Sequence, residues 1–261
     1  MIIDVLGYYG KGTVSEGGRF HPLPPVRVVD TRQTNTPAGT TSINVDMSTI
    51  AGVNAAHLAG VAINLTSTGG SGDGYIAAYP TGGSVPATSS VNFLAGKTQP
   101  NLVLVKTGTA GRISLVSNVT KVDAIVDIVG WFDDGDATGT SSGYRYQALT
   151  SPTRFLDTRS DPGSPVGAGA TVTKQIGGAL GVTSGAKAAL MNVTAVDPTE
   201  GGFLTVFPSD VTAPLASTVN FVRGDRIPNA AIAKLSPSGS VTTLNSTGST
   251  HILIDVAGVF V

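Results

Sequence analysis

The chain has 261 residues, 41% of them apolar and only 13% charged, with 34 glycines and no cysteine. Sixteen basic side chains against seventeen acidic ones leave no long-range field, which disfavours nucleic acid and anionic membranes as partners. The missing thiols exclude disulfide staples, thiolate zinc sites and cysteine nucleophiles, and no apolar run approaches the ~20 residues of a membrane helix.

The chain opens on Ile2-Ile3-Asp4-Val5-Leu6-Gly7-Tyr8-Tyr9, a segment with the pattern of 125–132 (IVDIVGWF) and 253–260 (LIDVAGVF). These last two are the ends of two tandem copies related by a shift of 128 residues, with one slip. Residues 1–18 are therefore predicted to be the closing strand of a preceding repeat plus a linker, the strand pairing with the domain that follows. Repeat 1 spans 19–133, a polar linker 134–146, and repeat 2 147–261. Along each copy the matches run in one order: 26–32 (VRVVDTR) with 153–159 (TRFLDTR), 61–66 (VAINLT) with 189–194 (ALMNVT), and 74–80 (GYIAAYP) with 202–208 (GFLTVFP). They continue with 91–93 and 219–221 (VNF) and with Pro100-Asn101 and Pro228-Asn229.

The apolar runs are short, rich in Val, Ile, Thr and Phe, and punctuated by Gly, Pro and Asn, giving about eight strands per copy. Asn54 to Ala59 and its counterpart, Thr183 to Ala188, are each predicted to form at most one short turn. Short antiparallel strands need a second sheet to cover their apolar face. The predicted fold is thus all-β, two tandem β-sandwich domains for which a jelly-roll is one topology, with an extra N-terminal strand.

Asp4, Asp127 and Asp255 stand among apolar residues in the closing strands, where an unpaired carboxylate would cost several kcal/mol. Arg32 and Arg159 are the expected partners in structural ion pairs, with Arg27 and Arg154 as second choices. The recurring Asn64/Asn192, Asn92/Asn220 and Asn101/Asn229 are expected in turn and ladder duty. Four matches to the glycosylation acceptor pattern, at Asn64, Asn118, Asn192 and Asn245, are what a Thr-rich β chain produces by chance.

A catalytic centre is not expected. His21, His57 and His251 recur at no equivalent position and have no metal partner at i+2 or i+4, and Glu occurs only at Glu16 and Glu200. No metal or cofactor is implied; the acidic linker (Asp133, Asp134, Asp136) lacks the spacing of a calcium loop. For binding, Tyr75 with Tyr79, and Phe203 with Phe207, fall on one face of their strands by alternation, a spacing that suits a stacking platform for sugar rings, although core packing is the favoured reading because Ile76, Leu204 and Val206 on the other face are also apolar. Trp131, with Tyr144 and Tyr146, flanks the linker as an aromatic available to a partner.

The motif order R-x-x-D-T-R, N-[LV]-T, aromatic-Pro, V-N-F, P-N and closing D-[VI]-x-G resembles a repeat of large secreted and cell-surface proteins of actinobacteria and related bacteria. The likeness covers Arg27 to Phe260 as well as Ile2 to Tyr9, and departs at Val259, where an aromatic is expected, and at Ile63 and Met191. The resemblance implies export and an extracellular or cell-surface setting. It fits a non-catalytic structural spacer or adhesive module whose partners are neighbouring repeats and cell-wall or host glycans; the alternative is a lectin-like carbohydrate-binding module.

Overall fold

The structure is a computed structural model that describes residues 7–10, 18–34, 38–136 and 143–261. Its contacts divide the chain into two compact units, one built on 27–143 and the other on 144–261. The first copy has β1 (Phe20–Asp30), β2 (Ile43–Asp46), β3 (Leu58–Thr68), β4 (Gly74–Pro80), β5 (Val91–Phe93), β6 (Gln99–Lys106), β7 (Arg112–Ser117) and β8 (Asp123–Asp133). The second has β9 (Tyr146–Asp157), β10 (Thr171–Gln175), β11 (Ala188–Val196), β12 (Gly202–Pro208), β13 (Val219–Phe221), β14 (Arg226–Lys234), β15 (Ser240–Asn245) and β16 (His251–Phe260).

Strand orders β1-β8-β3-β6 and β2-β7-β4-β5 make the first copy an eight-stranded jelly-roll, and β9-β16-β11-β14 with β10-β15-β12-β13 repeats it. The register repeats as well as the order. Asn64 lies opposite Asp127 and Asn192 opposite Asp255; Tyr75 lies opposite Asn92 and Phe203 opposite Asn220. The 128-residue shift is therefore a shift of register positions, which side-chain alternation fixes because a one-residue slip would turn each apolar row to solvent.

Each core fills the space between inner faces. In the first copy Ile63, Leu65 and Ile128 of one sheet and Ile76, Ile113 and Leu115 of the other are fully buried. In the second, Met191, Val193, Ile254 and Val256 meet Leu204, Val206, Val241 and Phe221 in one cluster. Of the two predicted turns, the first is a 3₁₀ turn at Ala55–His57 capped by Asn54, whose Oδ1 accepts the Ala56 N–H at 3.2 Å. At the second, the Thr183 hydroxyl accepts the Gly185 N–H at 3.2 Å. Of the orphan strand predicted at the N-terminus, residues 1–6, Asp4 included, lie outside the described residues, and Gly7 to Gly10 form no strand.

The glycine of the closing D-[VI]-x-G motif has a packing reason. Just before it, the pairing with β3 or β11 skips one residue, so that Ala62 faces Gly130 but Ile63 faces Ile128, and Leu190 faces Gly258 but Met191 faces Val256. A methyl on Gly130 would overlap the Phe20 ring, and one on Gly258 the Tyr146 ring. Those rings belong to the neighbouring first strand and lie against Phe132 and Phe260, centroids 5.0 and 5.4 Å apart. An aromatic laid over a bare glycine shields backbone that has no side chain of its own to cover it. Gly130→Ala should cost about 1–3 kcal/mol by overpacking, because Phe20 is fully buried, and Gly258→Ala less, because half-buried Tyr146 has room to swing out; urea unfolding of each variant measures both.

Candidate functional site

The recurring charged residues converge on the outer side of the seam between first and last strand. Arg27 donates from Nε and its Nη2 to the two carboxylate oxygens of Asp127 at 2.8 and 3.1 Å; Arg154 does the same to Asp255 at 2.7 and 2.9 Å. The expected partners Arg32 and Arg159 are elsewhere: each folds back on the aspartate two residues before it. Arg32 places Nε 2.8 Å and Nη2 2.6 Å from Asp30, and Arg159 matches both distances on Asp157. This corrects the ion pairs Asp127–Arg32 and Asp255–Arg159 to the second choices. The physical reason is that strand register sets Arg154 directly opposite Asp255, whereas Arg32 and Arg159 lie past the strand end, where the chain has turned away.

Arg27 and Arg154 also reach back to Asp30 and Asp157, at 3.7 and 3.3 Å. Each copy therefore holds a chain of four charges, Arg32-Asp30-Arg27-Asp127 and Arg159-Asp157-Arg154-Asp255, that neutralise one another. Two planar forks per copy fix both distance and orientation. The guanidinium hydrogen bonds of Arg32 and Arg159 hold the carboxyls of Asp30 and Asp157 below the ordinary range.

The threonine of the D-T-R motif completes the corner. Thr31 accepts the Ala124 N–H at 2.9 Å and donates to Asp123 at 2.9 Å; Thr158 accepts the Ile252 N–H at 2.9 Å and meets His251 Nδ1 at 3.2 Å. Both threonines are buried. Sequence reasoning missed Asp30, Asp157 and these threonines as partners, although the same D-T-R spacing in both copies was the signal that could have found them.

The two corners differ in exposure. Asp127 is 1% exposed and Arg27 18%, against 26% for Asp255 and 45% for Arg154. In the second copy Asp197, at φ +50°, takes both forks of Arg226 at 3.1 Å, where the first copy has Gly69 and Thr98.

A second charge centre ends β8. Asp133, 1% exposed, accepts from the Arg19 N–H at 2.8 Å and the Gly135 N–H at 3.0 Å, and pairs with His21 Nε2 at 2.8 Å. Burial pushes its carboxyl up, but these hydrogen bonds, with one from the Gly143 N–H, bring it below the ordinary value. The His21 ring stacks on Trp131 with centroids 3.9 Å apart, and the Trp131 Nε1–H donates to Gly52 O at 3.0 Å.

A scan against protein-family models matched no family to this chain, and a search of curated proteins found no match. Its own geometry must carry the reading.

Of the candidate aromatic platform, three rings are packed away, as the core-packing reading expects for Tyr79 and Phe207. Trp131 is 3% exposed, Tyr79 7% and Phe207 4%, so none is available to a sugar ring or a linker-side partner. Tyr79 packs with Ala77 and Val116 and shares a hydrogen bond with Ser42 at 2.5 Å. The connection 209–218 folds over the face that carries Phe207, where Thr205 donates its hydroxyl to Ala216 O at 2.6 Å. Alternation puts Tyr75 with Tyr79 and Phe203 with Phe207 on one face of each strand, which is the outer one, but does not show that other segments cover it. Tyr75 and Phe203 stay half-buried.

The remaining candidates are spent on structure. Asn101 and Asn229 donate to Ser90 O and Thr218 O at 2.7 and 2.8 Å, tying β6 and β14 to the residue before β5 and β13 in the opposite sheet. His57 meets Asp134 at 3.1 Å on the surface, and among the described residues neither it nor His251 meets a serine. Asp134 also takes the Asp136 N–H at 3.0 Å. No helix among the described residues is long and apolar enough to cross a membrane.

Asp127→Ala strips the better fork from a half-buried arginine and should cost about 3 kcal/mol, since Asp30 still faces Arg27, whereas the more exposed Asp255→Ala should cost about 1 kcal/mol or less. Denaturant unfolding of each single variant checks the contrast. For pH, the folded carboxyls of Asp30, Asp133 and Asp157 lie below the unfolded value of about 3.9. Their stabilisation is therefore complete above that value and lost as pH falls through the lower folded values. Urea midpoints should hold from about pH 7 to 5 and fall below about pH 4, and Asp133→Asn should flatten that fall in the first unit while leaving the second unchanged.

Proposed function

We propose that the chain is a non-catalytic, extracellular β-repeat fragment of a larger surface protein, acting as a structural spacer or adhesive module. The observation that carries this reading is the use made of the recurring residues. Every charged, hydroxyl and glycine position of the R-x-x-D-T-R and D-[VI]-x-G motifs answers another position of the same unit, so duplication has kept a frame for closing a fold. A duplicated chemistry would instead keep polar groups that the fold leaves unspent, and perturbed carboxyls in ion-pair networks are a common structural outcome. The extracellular setting is supported by the resemblance to repeats of secreted and cell-surface proteins. A lectin-like role has lost Tyr79, Phe207 and Trp131 from its platform, which leaves the spacer reading the better supported of the two.

A spacer of this kind consists of units that fold and fail independently. Stretched from its ends in a single-molecule force experiment, the chain should give two separate unfolding events. Each releases about 40 nm, the length of a copy such as 20–133 at ~3.5 Å per residue. One cooperative event spanning both copies, or turnover of ester, peptide or glycoside probes by the purified chain, would overturn the reading.

A further inference from the structure

We propose that the first copy carries a binding site for one or two rings of a neutral saccharide in the open cleft between β5 and β6. The site rests on the adhesive branch of the reading above and gives that branch a ligand class.

The cleft has a volume of about 400 Å³ and is lined by Ser89, Ser90, Asn92, Gln99, Pro100 and Asn101 among others, with no charged side chain. That volume is at the low end of the ~300–1,000 Å³ range of small-molecule sites. A lining without charge gives a phosphate or carboxylate nothing to pair with, and one dominated by amides and hydroxyls gives a lipid chain little apolar surface. What it offers is a group of fixed acceptors. Asn92 spends its Nδ2 on Ser89 Oγ at 3.0 Å, and Asn101 spends its Nδ2 on Ser90 O at 2.7 Å. The amide oxygens of both, and that of Gln99, accept no hydrogen bond among the described residues. Sugar hydroxyls are donors that such acceptors can take, and amides already anchored through nitrogen lose little freedom on accepting them.

The floor is rigid. Ser90 donates its N–H to Ile76 O at 2.8 Å, accepts the Ala78 N–H on Oγ at 2.9 Å, and accepts Asn101 on its carbonyl. The second copy rebuilds this floor bond for bond: Thr218 N–H to Leu204 O at 2.7 Å, Val206 N–H to Thr218 Oγ1 at 3.0 Å, and Asn229 to Thr218 O. Its lining differs. Ile227 replaces Gln99 and packs against the core, and Asn229 is buried where Asn101 is exposed. The same frame carries three amides in the first copy, whereas the second keeps Asn220 and a buried Asn229 and puts Ile227 where Gln99 stands, so Gln99 and the exposure of Asn101 are what the frame itself does not require. With no aromatic ring in the lining, half-saturation belongs in the millimolar range.

The test is an NMR titration of the ¹⁵N-labelled full chain with the methyl glycosides of glucose, galactose and mannose and with N-acetylglucosamine, each taken to tens of millimolar. At least one should give saturating shifts of the Asn92, Gln99 and Asn101 side-chain amides while those of Asn220 and Asn229 stay in place. Gln99→Ile, a residue the second copy already accommodates, should raise half-saturation about fivefold, as expected for one lost hydrogen bond, with the thermal unfolding midpoint unchanged. Absence of saturating shifts at those three amides with all four sugars, or unaltered binding by Gln99→Ile, overturns the site. That failure leaves the spacer branch standing, since independent unfolding of the two copies is read by force and not by sugar.

Discussion

The fold depends on neutralising a carboxylate that stands inside its last strand, and the group that neutralises it comes from the first. Arg27 on β1 and Asp127 on β8 are 100 residues apart in sequence and 2.8 Å apart in space. The same seam holds the Thr31 hydroxyl against the Ala124 N–H and the Phe20 ring over Gly130. Three different interactions, an ion pair, a buried hydroxyl and a ring on a glycine, thus act on one strand pair. A jelly-roll brings its two terminal strands together at the edge of one sheet, and until that seam forms that sheet lacks its outermost strand. The diagnostic residues cluster at the beginning and end of each copy because they meet there.

Much of this architecture was legible from residues alone. Strand count, the 128-residue repeat and the alternation of Val61, Ile63 and Leu65 follow from local pattern, because a half-buried strand has a period of two and nothing else in the chain competes with it. The need for an arginine opposite Asp127 and Asp255 was legible too, since burial of a lone carboxylate is expensive. Which arginine was not. Arg27 and Arg32 differ only in whether the chain has left the strand before reaching them, and strand ends are where sequence patterns carry least information. The aromatic rings failed as a platform for a related reason: alternation assigns Tyr79 and Phe207 to a face, but whether that face is wet depends on connections such as 209–218, whose path no periodicity encodes.

Comparing the copies separates constraint from latitude. The floor bonds of Ser90 and Thr218, the forks on Asp127 and Asp255, and the glycines at 130 and 258 are duplicated nearly atom for atom. By contrast, Asp123 against His251, Trp131 against Val259, and Gln99 against Ile227 occupy matched positions with unlike chemistry. Substitution has been free where a side chain faces outward or ends a strand. It has been confined where it would undo the seam, which is why the motifs shared by the two copies lie there.

The position of the seam also governs how a copy responds to tension. The first copy begins at Arg19 and ends at Asp133, where the Asp133 N–H donates to Arg19 O and the Arg19 N–H to the Asp133 carboxylate; in the second copy Arg145 and Val261 exchange backbone hydrogen bonds. A pull on the two ends therefore peels adjacent strands apart from one corner, loading the ladder one rung at a time instead of shearing all its rungs together. Peeling begins at the strand ends, where the Asp133 cluster must open first, and meets the Arg27–Asp127 fork only after several rungs have opened. In this geometry the rungs are loaded in succession, and the guanidinium fork meets the load only after those nearer the corner have opened.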